Sequence, residues 1–383
     1  MNLNPLLKKH HNEYRLMIRN FAETEIKPVA QQLDSEAEFS KSMTKRLGEM
    51  GLFGITIPED YGGKNLDTLS YIIAVEELAR VDSSQAATVA AHNSLGITPI
   101  FNRGTKTQKL NFLPKLTTGD NVWAFGLTEP TAGSDATGIQ TRAELINNKW
   151  TINGSKVYIT NSASECSAGV TLLTITGFRN NKKELSAILV EKPNDGLHAE
   201  PIKNKMLWRS VDTGKITLTN CIVPEENLLG KQGEGAHIML ETLDAGRLSI
   251  AAIGLGLAQG AFEMALDYAK NRQQFGQPIG KFQAIAFKIA EMEVKLELAR
   301  NTLYKACWQK DSNLPFAKEA AIAKLYCSEI AKEIADEAVQ IHGANGLMKN
   351  NDIERFYRDQ RILQIGEGTS EILKLLISRH LGL

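Results

Sequence analysis

Apolar residues step through the first third of the chain at helical spacing. Between Asn12 and Ile26 they fall at Tyr14, Met17, Ile18, Phe21 and Ile26, and the same period recurs in "SKSMTKRLGEM" and "DTLSYIIAVEELARV". Ser40 and Asp67 open those two stretches with side-chain oxygens that can accept from free N–H groups, so both are predicted N-caps. Between them "IPEDYGGKN" carries the Pro and Gly of an ordered turn. The texture changes after "TTGDNVWAF". From Thr141 to about Val223, short β-favouring runs ("RAELINNKWTINGSKVYIT", "GVTLLTIT", "LSAILVEK", "KITLTNCIV") are separated by Asn-Asn, Asn-Gly and Asn-Asp-Gly turn signals. Past "PEENLLGKQGEG" the helical period returns and holds to the end. Ile285, Ile289, Met292, Leu296, Ala299 and Leu303 step by four and three, the seam of a helix packed in a bundle. The pattern predicts an α+β chain in three parts: an N-terminal helical domain over 1–121, a middle antiparallel β-sheet domain over 122–232, and a C-terminal helical bundle over 233–383.

A length of 383 residues with 43% apolar content suffices for more than one core, in keeping with this subdivision. Forty-four basic residues cancel forty-four acidic ones, which removes the net attraction a nucleic-acid binder or anionic-membrane binder would show. An anionic ligand must then be held by local groups. Cys166, Cys221, Cys307 and Cys327 form no CxxC pair, as fits a reducing compartment and no structural zinc. The first residues lack an uninterrupted apolar stretch of signal-peptide type, and the weakly polar run Leu248 to Leu266 is broken by Gln259 and Glu263. The expectation is a soluble, cytoplasmic protein outside any membrane. The histidines show no metal-ligand spacing along the chain, and no metal is assigned.

Gly254, Gly256 and Gly260 in "AAIGLGLAQGAFEMAL" imitate a dinucleotide fingerprint, but the spacing is GxGxxxG and no strand precedes it. Small residues that let a neighbouring helix approach explain them better. "FGLTEPTAGSDATG", at the junction of the first helical part and the sheet, can present Thr128, Ser134 and backbone N–H groups to a flat heteroaromatic or a phosphate. In "QIGEGTSEI" Glu367 stands between two glycines that allow a sharp turn, and Thr369, Ser370 and Glu371 follow as the polar first turn of a helix.

Together with "VYITNS", "NRQQFGQPIGKFQ" and "QIHGANG", these stretches resemble the acyl-CoA dehydrogenase family over essentially the whole chain. The resemblance rests on the order and spacing of the stretches rather than on any single one. It implies FAD bound between the middle sheet and a C-terminal four-helix bundle, in a homo-oligomer, a homotetramer or a dimer, where a neighbour completes each flavin site. It implies cofactor contacts from Phe125, Leu127, Thr128, Gly133 and Ser134, and from Tyr158, Ile159 and Thr160. It further implies contacts from Arg272 and Phe275 across a subunit boundary, from Gln283, from Gln340, Ile341, His342, Gly343 and Ala344, and from Thr369, Ser370 and Glu371 at a helix N-terminus suited to phosphate. Ser134, Asp244, Arg247 and Gly368 would hold the acyl-CoA. His342 reads as a packed residue beside the cofactor rather than an acid. Tyr158 stands where tryptophan is usual, Gly366 where an aromatic often precedes the base, and Ala344 and Asn345 depart from the common pattern, all of which bear on the acyl pocket rather than the reaction.

The implied chemistry gives Glu367 its role. An α-proton of a thioester is weakly acidic, and its removal needs a carboxylate in an apolar setting together with donors for the thioester oxygen. The alternative position for the base, in "LDAGR", offers only Ala245 and Gly246 beside Asp244. The leading expectation is therefore FAD-dependent conversion of a short or branched acyl-CoA to the trans-2-enoyl-CoA, with electrons passed to an electron-transfer flavoprotein. A carrier-protein thioester dehydrogenase, an enoyl reductase, and a flavin-binding assembly subunit without turnover stand as alternatives.

Overall fold

The computed structural model describes residues 4–383. The N-terminal part is helical: α1 (Lys9–Phe21), α2 (Lys27–Glu36), α3 (Lys41–Glu49), α4 (Thr68–Ala79), α5 (Ser83–Ala91), α6 (Thr98–Arg103) and α7 (Lys106–Leu116). The helix predicted to run on to Ile26 widens into a π-turn over Ala22–Ile26. Both predicted caps form: the Ser40 hydroxyl accepts from the Met43 N–H at 3.1 Å, and the Asp67 carboxylate from the Ser70 N–H at 2.8 Å.

The middle part is a sheet of eight strands: β1 (Val122–Gly126), β2 (Arg142–Ile146), β3 (Lys149–Thr160), β4 (Ser167–Arg179), β5 (Lys182–Glu191), β6 (Leu197–Pro201), β7 (Thr213–Pro224) and β8 (Leu228–Leu229). Their order is β6-β7-β3-β2-β4-β5-β8, with β1 laid against β4. Most neighbours are antiparallel, but β1 and β2 meet β4 in parallel, so the sheet is mixed. All five residues of β1 are buried, which leaves no alternation in the sequence to mark it. The sheet has its own core around Trp150, Ile152, Val170, Ile188 and Ile216.

The C-terminal part opens with α8 (Gly235–Asn271), turns through a small hairpin of β9 (Gln273–Gln274) and β10 (Gln277–Pro278), and continues as α9 (Gln283–Asp311), α10 (Ala317–His342), α11 (Ile353–Asp359) and α12 (Ser370–His380). Of the predicted seam, Met292, Leu296, Ala299 and Leu303 are buried, while Ile285 and Ile289 pack at its edge. These helices share one core with the N-terminal ones, centred on α8 and α4. Here the three glycines find their use. A Cβ on Gly254 would stand 2.9 Å from the Cys327 carbonyl oxygen, on Gly256 2.1 Å from that of Glu76, and on Gly260 2.2 Å from that of Arg80. Helix α8 is long and apolar enough to cross a membrane, yet 83% of its most apolar window is buried inside the protein. The sheet is tied to both helical parts through Asp359, which accepts from the Trp208 N–H at 2.9 Å and from the Ser83 hydroxyl at 2.7 Å.

Candidate active site

Glu367 lies in the short link between α11 and α12, and the turn there is not built as its two glycines suggest. Glu367 itself takes a left-handed backbone, φ +53°, followed by Gly368 at φ +102°. A Cβ on Gly366 would meet nothing nearer than the Ile362 carbonyl oxygen at 3.5 Å, so that position admits a larger residue. The turn therefore depends on Gly368 and on Glu367, not on Gly366. A non-glycine residue in this region carries strain and persists only where its surroundings over-determine it. Thr369 then caps α12, its hydroxyl accepting from the Ile372 N–H at 3.3 Å.

The turn aims the Glu367 carboxyl at α8. Its Oε2 is buried without a hydrogen-bond partner and sits 2.3 Å from where a Cβ on Gly246 would be, so only glycine at 246 leaves room for it. Burial pushes the carboxyl up to about 7, against the opposing charges of Lys324 and Arg247. Lys324, on α10, donates to the Gly368 carbonyl oxygen at 2.6 Å and is itself pushed down to about 8 by burial. Arg247 is buried and paired with Asp244, and its Nε has no partner. Nothing in the sequence pattern marked Lys324. Arg247, expected to hold acyl-CoA, lies where its charge acts on Glu367.

The junction loop forms a second element. Phe125 and Leu127 are buried in a small cluster with Ala132, Ile139 and Met239. The Thr128 carbonyl accepts from the Val157 N–H at 3.0 Å, while Gly133 and Ser134 are exposed and a Cβ on Gly133 would meet nothing within 4 Å. Beneath the loop a buried ion pair fixes its course: Lys156 Nζ donates to Glu129 at 2.8 Å and to the Leu127 carbonyl at 3.1 Å, and Glu129 also accepts from the Gln140 and Thr141 N–H groups. Tyr158 is left-handed, φ +60°, and 70% exposed, its ring turned out beside this loop's partner strand. Ile159 packs its side chain into the sheet core, which leaves its backbone alone to meet a ligand, and Thr160 is half-buried.

A third group gathers at the far ends of α8 and α10. Arg272 follows α8, and Phe275, left-handed at φ +51° and 93% exposed, tips the hairpin; Gln283 begins α9. Gln340, Ile341 and His342 end α10, with Gly343 and Ala344 in the turn beyond. His342 stacks on Tyr268 with ring centres 4.4 Å apart and donates from Nδ1 to the Ala338 carbonyl at 2.8 Å, so it is a packed residue. These residues do not join Glu367 within one chain. Gly246 and Asn271 are 25 residues apart on α8, roughly 38 Å along the helix axis.

Fold proximity also brings His10, His11 and Asp67 together, which chain spacing did not reveal. His11 Nδ1 accepts from the Lys8 N–H at 3.0 Å, so its Nε2 carries the proton donated to Asp67 at 2.9 Å, while Asp67 caps α4. Hydrogen bonding and capping account for this cluster.

Strong similarity to known proteins covers all three parts. The acyl-CoA dehydrogenase N-terminal domain matches residues 8–120, the middle domain 124–221 and the C-terminal domain 233–382. The chain belongs to the acyl-CoA dehydrogenase family. A probable acyl-CoA dehydrogenase of Bacillus subtilis is 45% identical over 98% of both chains. The structure of butyryl-CoA dehydrogenase from Megasphaera elsdenii superposes with a TM-score of 0.96 at 37% identity, over 100% of each chain. A chain in the structure of the electron transferring flavoprotein of Acidaminococcus fermentans gives 0.95 at 40% identity, over 100% of this chain and 99% of that one.

Acyl-CoA dehydrogenases are FAD enzymes, and the residues present here fit that cofactor. Tyr158 and Phe275 leave aromatic faces uncovered, and Gly133, Gly276 and Gly343 leave open backbone. The chain is an FAD-dependent acyl-CoA dehydrogenase.

Proposed function

We propose that the chain dehydrogenates a short-chain acyl-CoA to its trans-2-enoyl-CoA, with Glu367 as the base that takes the α-proton. The buried, partnerless Oε2 of Glu367 carries this reading. A carboxylate raised to about 7 is basic enough to accept a carbon-bound proton and still ionised for much of the time near neutral pH. As the α C–H bond breaks, its electron pair becomes the new α,β double bond and the proton goes to Glu367. When bound, FAD supplies the acceptor for the hydride that leaves the β-carbon. The Glu367 N–H, beside side-chain-free Gly368, is available to the thioester oxygen, where developing negative charge collects. The buried junction loop, with the exposed backbone around Gly133 and Ser134, and the Tyr158 ring would hold the flavin. Gly366 places no side chain toward the acyl end and so leaves that end of the site open. Similarity to a butyryl-CoA dehydrogenase supports a short chain, and similarity to a chain from an electron transferring flavoprotein structure supports such a flavoprotein as electron acceptor.

Anaerobic mixing of the FAD protein with acyl-CoA and carrier-protein thioesters of graded length tests the assignment. Bleaching of the flavin band is expected to be fastest with a four-carbon acyl-CoA. No bleaching with any saturated thioester would refute it. Gly246→Ala is expected to displace the carboxyl and slow that bleaching by about a hundredfold, the effect of misplacing a reacting group by an ångström, with FAD content unchanged. An unaltered rate would show that the carboxyl works elsewhere.

The roughly 38 Å along α8 that separates Gly246 from the Arg272 end supports a shared site, in which Arg272, Phe275 and Gln283 of one subunit complete the flavin site of another. We place these contacts within a homotetramer, and the protein, whose four cysteines are free thiols, in the cytoplasm. Arg272→Ala is expected to lower FAD occupancy and assembly together, read by sizing chromatography with flavin absorbance. Full FAD retention in a stable monomer would contradict a shared site.

A further inference from the structure

The link that carries Glu367 is pinned to one stretch of α10. The Ser328 hydroxyl donates to the Leu363 carbonyl at 2.9 Å, Gln364 donates to Glu329 at 2.6 Å, Lys324 donates to the Gly368 carbonyl at 2.6 Å, and the Ser370 hydroxyl donates to Glu329 at 2.7 Å. Lys324, Ser328 and Glu329 lie on one face of the helix, so a single rigid element grips the turn before, within and after its strained residue. The other three contacts use hydroxyls, an amide and the Glu329 carboxylate, which is only half-buried. The Lys324 contact takes a charge wholly out of water. The Lys324 side chain is fully buried, and an ammonium removed from water costs far more than the neutral donor that one carbonyl would need.

Resting on the assignment of Glu367 as base, we propose that Lys324 is a positioning residue for it: its ammonium clamps the Gly368 carbonyl, holds Glu367 in the left-handed turn against Gly246, and keeps the carboxyl ionised. The groups facing Glu367 are Lys324 from α10, Arg247 from α8 with Asp244 paired to it, and Tyr71 from α4; Glu329 and Glu371 face Lys324 in turn. Arg247 already shares its charge with Asp244, so Lys324 is the cation whose removal Glu367 feels most. The direction follows from the charges. Lys324 favours the carboxylate, so removing it raises the pH at which Glu367 loses its proton, and the base is lost over a wider acidic range.

Lys324→Met and Lys324→Gln in the FAD-loaded protein test this. One readout is α-hydrogen exchange into D2O from an acyl-CoA analogue with sulfur in place of the β-carbon. Such an analogue has no β-hydride to lose, so exchange reports proton removal alone. The second is infrared titration of the Glu367 carboxyl, identified by its disappearance in Glu367→Gln. Both variants are expected to shift the acidic limb of exchange and the infrared midpoint upward by about one unit, which is about tenfold less active base on that limb. FAD content and analogue affinity are expected to stay within about threefold. A purely structural lysine would lower FAD content or folding yield and leave both midpoints in place, and that result in either folded variant would overturn the proposal. If wild-type protein exchanges no α-hydrogen from any acyl-CoA, the base assignment fails, and the infrared midpoint still decides whether Lys324 acts on Glu367.

Discussion

Glu367→Gln protein is expected to fold, hold FAD and bind acyl-CoA, yet lose flavin reduction by at least about 10²–10⁴-fold, the range for removal of a general base. The loss should fall at the high end, because the carboxyl lies against Gly246 on α8, which carries no side chain that could take the proton in its place. Gln keeps the shape and loses the basic electron pair. Binding of a saturated acyl-CoA requires no proton acceptor, so affinity should hold while the rate collapses. Titration of analogue binding beside single-turnover reduction separates the two. A variant that reduces its flavin at near the wild-type rate would show that another group takes the proton.

Lys156→Met is the second large effect, and it concerns stability. Lys156 and Glu129 are both almost wholly buried, and the ammonium is held down to about 8 by burial while the carboxyl, which burial alone would raise, is drawn below the usual carboxylate range by Lys156 and two backbone donors. Removing one member leaves Glu129 uncompensated, a change that costs about 3–5 kcal/mol in buried pairs. The loop from Leu127 loses its anchor at the same time, so FAD release on dilution should quicken. Denaturant unfolding of the FAD-free protein measures the first effect and flavin fluorescence the second. Adding Glu129→Gln should recover much of the stability, because it removes the stranded charge. A loss below 1 kcal/mol in the single variant would mean that water reaches Glu129.

Met292, Leu296, Ala299 and Leu303 could be placed at the bundle seam because a helix with one buried face repeats its apolar residues every three to four positions, and they are buried. Gly254, Gly256 and Gly260 could be separated from a nucleotide motif because only a helix context preceded them, and carbonyl oxygens of neighbouring helices fill the space they leave. Strand β1 was not marked, since a wholly buried strand has no alternation. Glu367 could be proposed as the base from its setting, but its own left-handed backbone could not be foreseen, because the adjacent glycines were the natural candidates for that conformation. Lys324 was invisible for a simpler reason: a lysine in a helix usually lies in solvent, and only the return of the chain from Leu363 to Ser370 across α10 buries it. The distance between the Gly246 and Arg272 ends of α8 likewise became legible only once the helix was continuous.

The central claim is that the Glu367 carboxyl, raised toward neutrality by burial beside Gly246, removes the α-proton. The most direct measurement is the pH dependence of α-hydrogen exchange in wild-type and Glu367→Gln proteins, using the β-sulfur acyl-CoA. A group raised to about 7 is inactive while protonated, so wild-type exchange should fall as the pH drops through about 7 and level off above it. The Glu367→Gln protein should exchange at the background rate at every pH. A wild-type limb near the ordinary carboxylate range, or a variant that keeps the wild-type profile, would contradict the account.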